Sequence, residues 1–188
     1  MGGSSRSAPE YKPPSVLKAV VGLAGYTGSG KSTLAQELEL LHAFGRASFG
    51  DVVRAEARAR GIGASTAELR AVGTELISQW GWSVFCCEVL TRLRECKFGV
   101  VEGIRHMGAV AGITQVIQPV PLLLVFVETD AGERHRRLAL RDHASADEAP
   151  PFEEEIPQLR SRADLIVSGS DPGAVVAILN HVKSIAGP

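Results

Sequence analysis

The chain has 188 residues, 45% hydrophobic and 22% charged, with 20 Lys and Arg against 21 Asp and Glu and a formal net charge of -1. That length predicts one domain with a real core. The near-neutral balance excludes a dedicated nucleic-acid binder, whose footprint is a strong basic excess. Residues 1–14, "MGGSSRSAPEYKPP", read as a disordered leader without a function of its own, with the domain expected over 15–188. No apolar secretory stretch precedes the domain. The most apolar run, "VPLLLVFVE" from Val120 to Glu128, is far too short to span a bilayer. Cys86, Cys87 and Cys96 have neither a disulfide nor a zinc spacing and predict reduced thiols, hence a cytoplasmic protein.

Val16 to Leu23 is β-branched, apolar and followed shortly by glycine, and predicts a first buried strand. Lys31 to Ala43 carries Leu34, Leu38 and Leu41 as a helical stripe. Ala47 to Phe49 predicts a short second strand, and Asp51 to Arg60 a helix stopped by Gly61 and Gly63. Ser65 followed by Glu68 has the look of a capping box opening a helix toward Gln79. Ser83 to Arg94 predicts another helix, Phe98 to Val101 a third strand ending in Glu102-Gly103, and His106 to Ile117 a further helix. Pro121 to Val127 reads as a fourth strand and Asp130 to Arg141 as a charged helix. His143 to Pro157 reads as a loop or short helical lid, Asp164 to Val167 as a fifth strand, and Pro172 to Ile185 as a closing helix. Short apolar strands alternating with helices predict an α/β fold. The expected form is a five-stranded parallel sheet with helices on both faces and ligands at the carboxyl ends of the strands.

"GYTGSGKS", Gly25 to Ser32, is a complete G-x-x-x-x-G-K-[ST] phosphate-binding loop between a strand and a helix. Its glycines let successive amide N–H groups converge on an anion, and the following helix adds the positive end of its dipole. Gly25, Gly28, Ser29, Gly30, Lys31, Ser32 and Thr33 are therefore the expected ATP-binding residues. Lys31 supplies a mobile cation for the β- and γ-phosphates, and the Ser32 hydroxyl suits Mg²⁺. A GTPase needs a base-reading N-K-x-D after a later strand. Here the fourth strand is followed by "ETDAGERHRR". What remains is a small phosphoryl-transfer domain with arginines after strands two and three.

"FGDVVR", Phe49 to Arg54, and "VVEGIR", Val100 to Arg105, resemble the G-D-x-x-R and D-G-x-x-R segments of adenylate kinase and related nucleoside monophosphate kinases. The resemblance implies that Arg54 and Arg105 grip the acceptor's phosphate and that Asp51 and Glu102 serve the metal with Ser32. "RAVGTELISQWG", Arg70 to Gly81, is similar to a stretch of phage-type deoxynucleoside monophosphate kinases. "RLALRDHASADEA", from Arg137, and "RADLIVSGSD", from Arg162, resemble the lid and last strand of dephospho-CoA kinase. The chain departs from the pattern at Glu102, where the family has Asp, one methylene shorter.

Residues 51–97 are then the expected acceptor-binding helical region and 141–157 the lid. Arg134, Arg137 and Arg141 share a helix face, and Arg137 and Arg141 are the expected lid cations. Lys31, Asp51, Glu102, Arg137 and Arg141 make up the catalytic set. The expected reaction is ATP- and Mg²⁺-dependent phosphorylation of a small phosphorylated acceptor, a nucleoside or deoxynucleoside monophosphate. Two alternatives stay open: dephospho-CoA kinase, and a nucleotide-binding regulatory protein with weak or no turnover.

Overall fold

A computed structural model describes residues 11–93, 95–141 and 154–187. Five strands, β1 (Ala19–Ala24), β2 (Gly45–Ser48), β3 (Phe98–Ile104), β4 (Leu122–Glu128) and β5 (Leu165–Ser168), form one parallel sheet in the order β2-β3-β1-β4-β5. The helices are α1 (Lys31–His42), α2 (Phe49–Ala59), α3 (Thr66–Leu90), α4 (Met107–Ile117), α5 (Ala131–Arg141), α6 (Ile156–Arg162) and α7 (Ala174–Ile185). All six β1 residues are buried, as expected of a central strand covered on both faces. The strand order reverses on either side of β1, so the loop leaving β1 opens at the switch point where α/β sheets place ligands.

Alternate side chains feed two cores. Val20, Ala24, Val101, Leu124 and Phe126 meet α2, α3, α4 and α6 on one face. Val21, Leu23, Val100, Val125 and Val127 meet α1 and α7 on the other. This is the predicted three-layer α/β architecture. The alternation breaks once, after Glu102. β1 pairs Leu23 with Glu102 but Ala24 with Ile104, leaving Gly103 as an extra residue with φ 85°. A bulge of this kind needs a residue that tolerates positive φ. Glu102 thus stays on the α1 face with Val100, while Ile104 turns into the opposite core.

Three boundaries differ from expectation. Helix α2 starts at Phe49, directly on β2 and ahead of the expected start at Asp51, which lies inside its first turn. β3 runs through Glu102 to Ile104, because the bulge lets pairing resume. The two helices expected on either side of Gly81 are both present in α3 and run closer together than expected, parted only by the non-helical backbone of that glycine (φ 69°, ψ 169°) between Trp80 and Trp82. The capping box at Ser65 and Glu68 is present. Of the expected leader, residues 1–10 lie outside the described residues, and Tyr11 packs against the core. Most of the expected lid, residues 142–153, also lies outside them. Its end leads into α6, which the sequence reading did not separate from the loop.

Candidate functional site

The loop from Gly25 to Gly30 leaves β1 and turns into α1. Gly25, Gly28 and Gly30 adopt φ of 138°, 82° and 98°, which the curl of the loop requires. Lys31 is folded back over the loop. Its ammonium donates to the carbonyls of Gly25 (2.7 Å) and Tyr26 (2.6 Å) and to Ser29 Oγ (3.2 Å), and only 8% of the residue is exposed. The loop is braced from outside. Thr129 donates its hydroxyl to Ser29 O at 2.7 Å. Gly169, after β5, lies so close that a Cβ there would stand 1.9 Å from Ser29 O.

Ser32 opens α1 beside the end of β3. Its hydroxyl donates to Glu102 Oε2 at 2.6 Å. The other oxygen, Oε1, accepts Nε of Arg46 at 2.9 Å and Arg46 Nη2 as well. Glu102 is only 6% exposed, and a carboxylate so buried requires partners of this kind. Burial opposes the Arg46 charge, but the contacts with Glu102 and Glu39 together outweigh it and raise its pKa.

A cleft of about 480 Å³ opens at this corner. It is lined by Gly28 to Ser32, Arg46 and Glu102, by Arg54 of α2, Arg70 of α3 and Arg105 after β3, and by the rings of Phe49, Trp82 and Phe85. Phe85 meets Phe49 edge-on at 5.1 Å and stacks with Trp82 at 6.3 Å, which makes one aromatic wall. Trp82 thus both packs and faces the cleft. Among the charged residues expected here, Asp51 stands apart. Its carboxylate accepts Arg54 Nη2 at 2.6 Å, and both side chains are about half exposed. The structure joins Asp51 to Arg54, and joins Glu102 to Ser32 and Arg46.

From α5, Arg137 reaches the mouth of the loop. It is held by Glu133 Oε1 (2.8 Å) and Ser170 Oγ (2.9 Å), and its Nη1 lies 3.2 Å from where a Cβ on Gly30 would stand. Arg134, on the same face, places its guanidinium carbon 4.5 Å from the Tyr26 ring centre. The side chain of Arg141 lies outside the described residues.

The family profile described as "AAA domain" matches residues 21–158. The chain belongs to this family. A curated relative, a UPF0200 protein from Methanothrix thermoacetophila, is 31% identical over 143 residues, 76% of this chain and 77% of its own length. Three solved structures share the fold of this AAA-domain protein. The first is TT1252 from Thermus thermophilus, with a TM-score of 0.57, 20% identity, and 91% of this chain and 99% of that chain covered. The second is a shikimate kinase from Aquifex aeolicus, with a TM-score of 0.51, 18% identity, and 89% and 99% covered. The third is a gluconokinase from Sinorhizobium meliloti, with a TM-score of 0.50, 14% identity, and 90% and 92% covered. The chain thus has a P-loop fold of the kinase kind.

Four residues of the site escape a linear reading of this AAA-domain chain. Arg46 sits in a four-residue strand and becomes visible only through its register against β3. Arg70 belongs to a helix whose sequence alone does not say which side faces the cleft. Tyr26 occupies a variable position of the loop motif and shows its role through Phe126 and Arg134. Glu155, at the start of α6, accepts Met107 N–H at 2.7 Å and bonds His106 Nδ1 at 2.9 Å. The only available signal was its place in an acidic run.

Mg²⁺ fits one corner of the site. Among the described residues no three of His, Cys, Asp or Glu gather into a cage. The Ser32 hydroxyl and Glu102 carboxylate are instead a pair of hard oxygens, the kind Mg²⁺ takes when phosphates and water supply the rest.

Proposed function

We propose that the protein transfers the γ-phosphoryl group of ATP, as its Mg²⁺ complex, to a nucleoside or deoxynucleoside monophosphate. One observation carries this reading. A single cleft is lined both by the phosphate loop and by three arginines, Arg54, Arg70 and Arg105, with an aromatic wall. Guanidinium groups suit a phosphate, and flat rings suit a base.

Each residue then has a stated role. The loop amides and the start of α1 receive the donor phosphates. Lys31 exchanges the Gly25 and Tyr26 carbonyls for phosphate oxygens. Ser32 and Glu102 hold the metal, which neutralises charge on the donor phosphates. Arg137 stands at the loop mouth, where charge develops on the group in transit, and Arg141, four residues on in the sequence, is the second cation of this set. Arg54 and Arg105 grip the acceptor phosphate in line with the donor, and Asp51 orients Arg54. The acceptor phosphate is already ionised, so the reaction needs no strong general base.

No helix among the described residues is long and apolar enough to cross a membrane. Cys86, Cys87 and Cys96 are free thiols. Burial, with the neighbouring Cys87, pushes the Cys86 thiol up to about 12, which suits an inert thiol in a cytoplasmic setting. The test of function is a coupled ADP-release screen over ribo- and deoxynucleoside monophosphates and dephospho-CoA. Turnover with one of the monophosphates is expected. Turnover with dephospho-CoA alone, or none with any acceptor, overturns the assignment.

A further inference from the structure

We propose that Arg46 is a positioning residue that holds the Glu102 carboxylate in place against the Ser32 hydroxyl, so that this carboxylate presents one fixed oxygen to Mg²⁺. The inference rests on the phosphoryl-transfer reading above, in which Ser32 and Glu102 face the metal.

The geometry starts from strand register. β2 pairs Ser48 with Glu102 and Arg46 with Val100. Arg46 is therefore the diagonal neighbour of Glu102 on one face of the sheet, a separation that only a long side chain bridges. Val100 points into the core against α1, and Glu102, two residues on, points the same way toward Ser32. The bulge at Gly103 lies immediately beyond and leaves that direction unchanged.

The two carboxylate oxygens have separate tasks. Oε1 takes both Nε and Nη2 of Arg46, and Oε2 takes the Ser32 hydroxyl. Glu has one more rotatable bond than Asp, so the fork on Oε1 removes the freedom that the extra methylene adds. The remaining Arg46 nitrogen, Nη1, meets Glu39 at 3.5 Å across a surface where a pair contributes little. Glu102 is thus the chief anchor of Arg46, and Arg46 is the one cation bonded to Glu102 among the described residues.

The test is calorimetric titration with ADP, in Mg²⁺ and in EDTA, on the parent, Arg46→Gln, Arg46→Lys and Glu102→Gln. Removing a group that orients a metal ligand commonly costs about 10- to 100-fold in metal affinity. The gain in ADP affinity on adding Mg²⁺ is therefore expected to fall about tenfold or more in Arg46→Gln, with ADP affinity in EDTA unchanged. Arg46→Lys keeps the charge without the planar fork and restores part of the gain. Arg46→Gln combined with Glu102→Gln adds nothing to Glu102→Gln alone. Thermal melts show which variants are folded, and Arg46→Lys carries the test if Arg46→Gln is not. A parent-like Mg²⁺ gain in the folded Arg46 variants overturns the inference and leaves the metal reading standing. An equal loss with and without Mg²⁺ overturns it too, since Arg46 then supports the loop and not the ligand. If the parent gains nothing from Mg²⁺, the metal reading itself fails and takes the inference with it.

Discussion

Glu155 ties the start of α6 to the start of α4 through His106. One carboxylate oxygen lies 2.9 Å from His106 Nδ1, and the other accepts the Met107 N–H at 2.7 Å. The carboxylate thereby satisfies a part-buried donor at a helix N-terminus, where negative charge is favourable. The ring of His106 lies 5.4 Å from that of Trp82, so this contact braces one wall of the cleft.

Glu155 makes stability depend on pH in a defined direction. Burial alone would raise its pKa, but the bonds from His106 and the Met107 N–H prevail and lower it. A depressed folded value means stabilisation that is present above the ordinary Glu range, near about 4.3, and lost as pH falls through the folded value. The parent is expected to melt above Glu155→Gln at pH 7, with the gap closing as pH is lowered past that range. Melting curves at both pH values check this. An equal gap at both assigns the effect to shape and not to charge.

Lys31→Ala is expected to keep the fold and remove turnover. The ammonium braces the loop through three contacts, yet the glycine curl and the Thr129 bond to Ser29 persist without it. Loss of a fixed donor from a developing charge costs about 10² to 10³ in rate. Steady-state turnover with the best acceptor, alongside circular dichroism, tests the claim. Parent-like turnover would remove the loop from the chemistry.

Gly169→Ala should act on the loop from behind. The new Cβ would stand 1.9 Å from Ser29 O, a backbone atom that cannot swing aside. Overpacking of this kind costs about 1–3 kcal/mol. Because the strain falls on the loop, ADP affinity should drop along with the melting temperature. A variant that melts lower but binds ADP normally would show that the loop does not take up the shift.

Arg54→Ala and Arg105→Ala separate acceptor grip from donor binding. A hydrogen bond to a charged group contributes about 1.5–3 kcal/mol, so each change should weaken acceptor binding by about 10- to 100-fold. ATP affinity should remain near the parent value. Separate titrations of ATP and acceptor decide between the roles. Equal weakening of both would place the arginine on the shared path of the phosphoryl group.

The phosphate loop was legible in the sequence because its function is local. Eight consecutive residues set the backbone curl, the helix start and the cation, and no distant part of the chain is needed to recognise them. The same holds for the capping box at Ser65 and Glu68, which closes within one helical turn. Strand and helix alternation likewise follows from near-neighbour patterning, which is why the three-layer fold is legible in the sequence.

Tertiary structure alone decided which distant charges meet. Arg46 and Glu102 are 56 residues apart, and Glu155 and His106 are 49 apart. The first pair depends on the register of β2 against β3. A slip of one residue would turn Arg46 to the other face of the sheet. Asp51 shows the converse. The resemblance implies a metal role for Asp51, and in the structure α2 begins at Phe49 and the Asp51 carboxylate accepts from Arg54, one helical turn away. Short-range backbone preference determined the loop and the elements. The partners of Glu102 and Glu155 were set by strand register and by the meeting of the α6 start with the α4 start, because these charges pair through space between segments far apart in the chain.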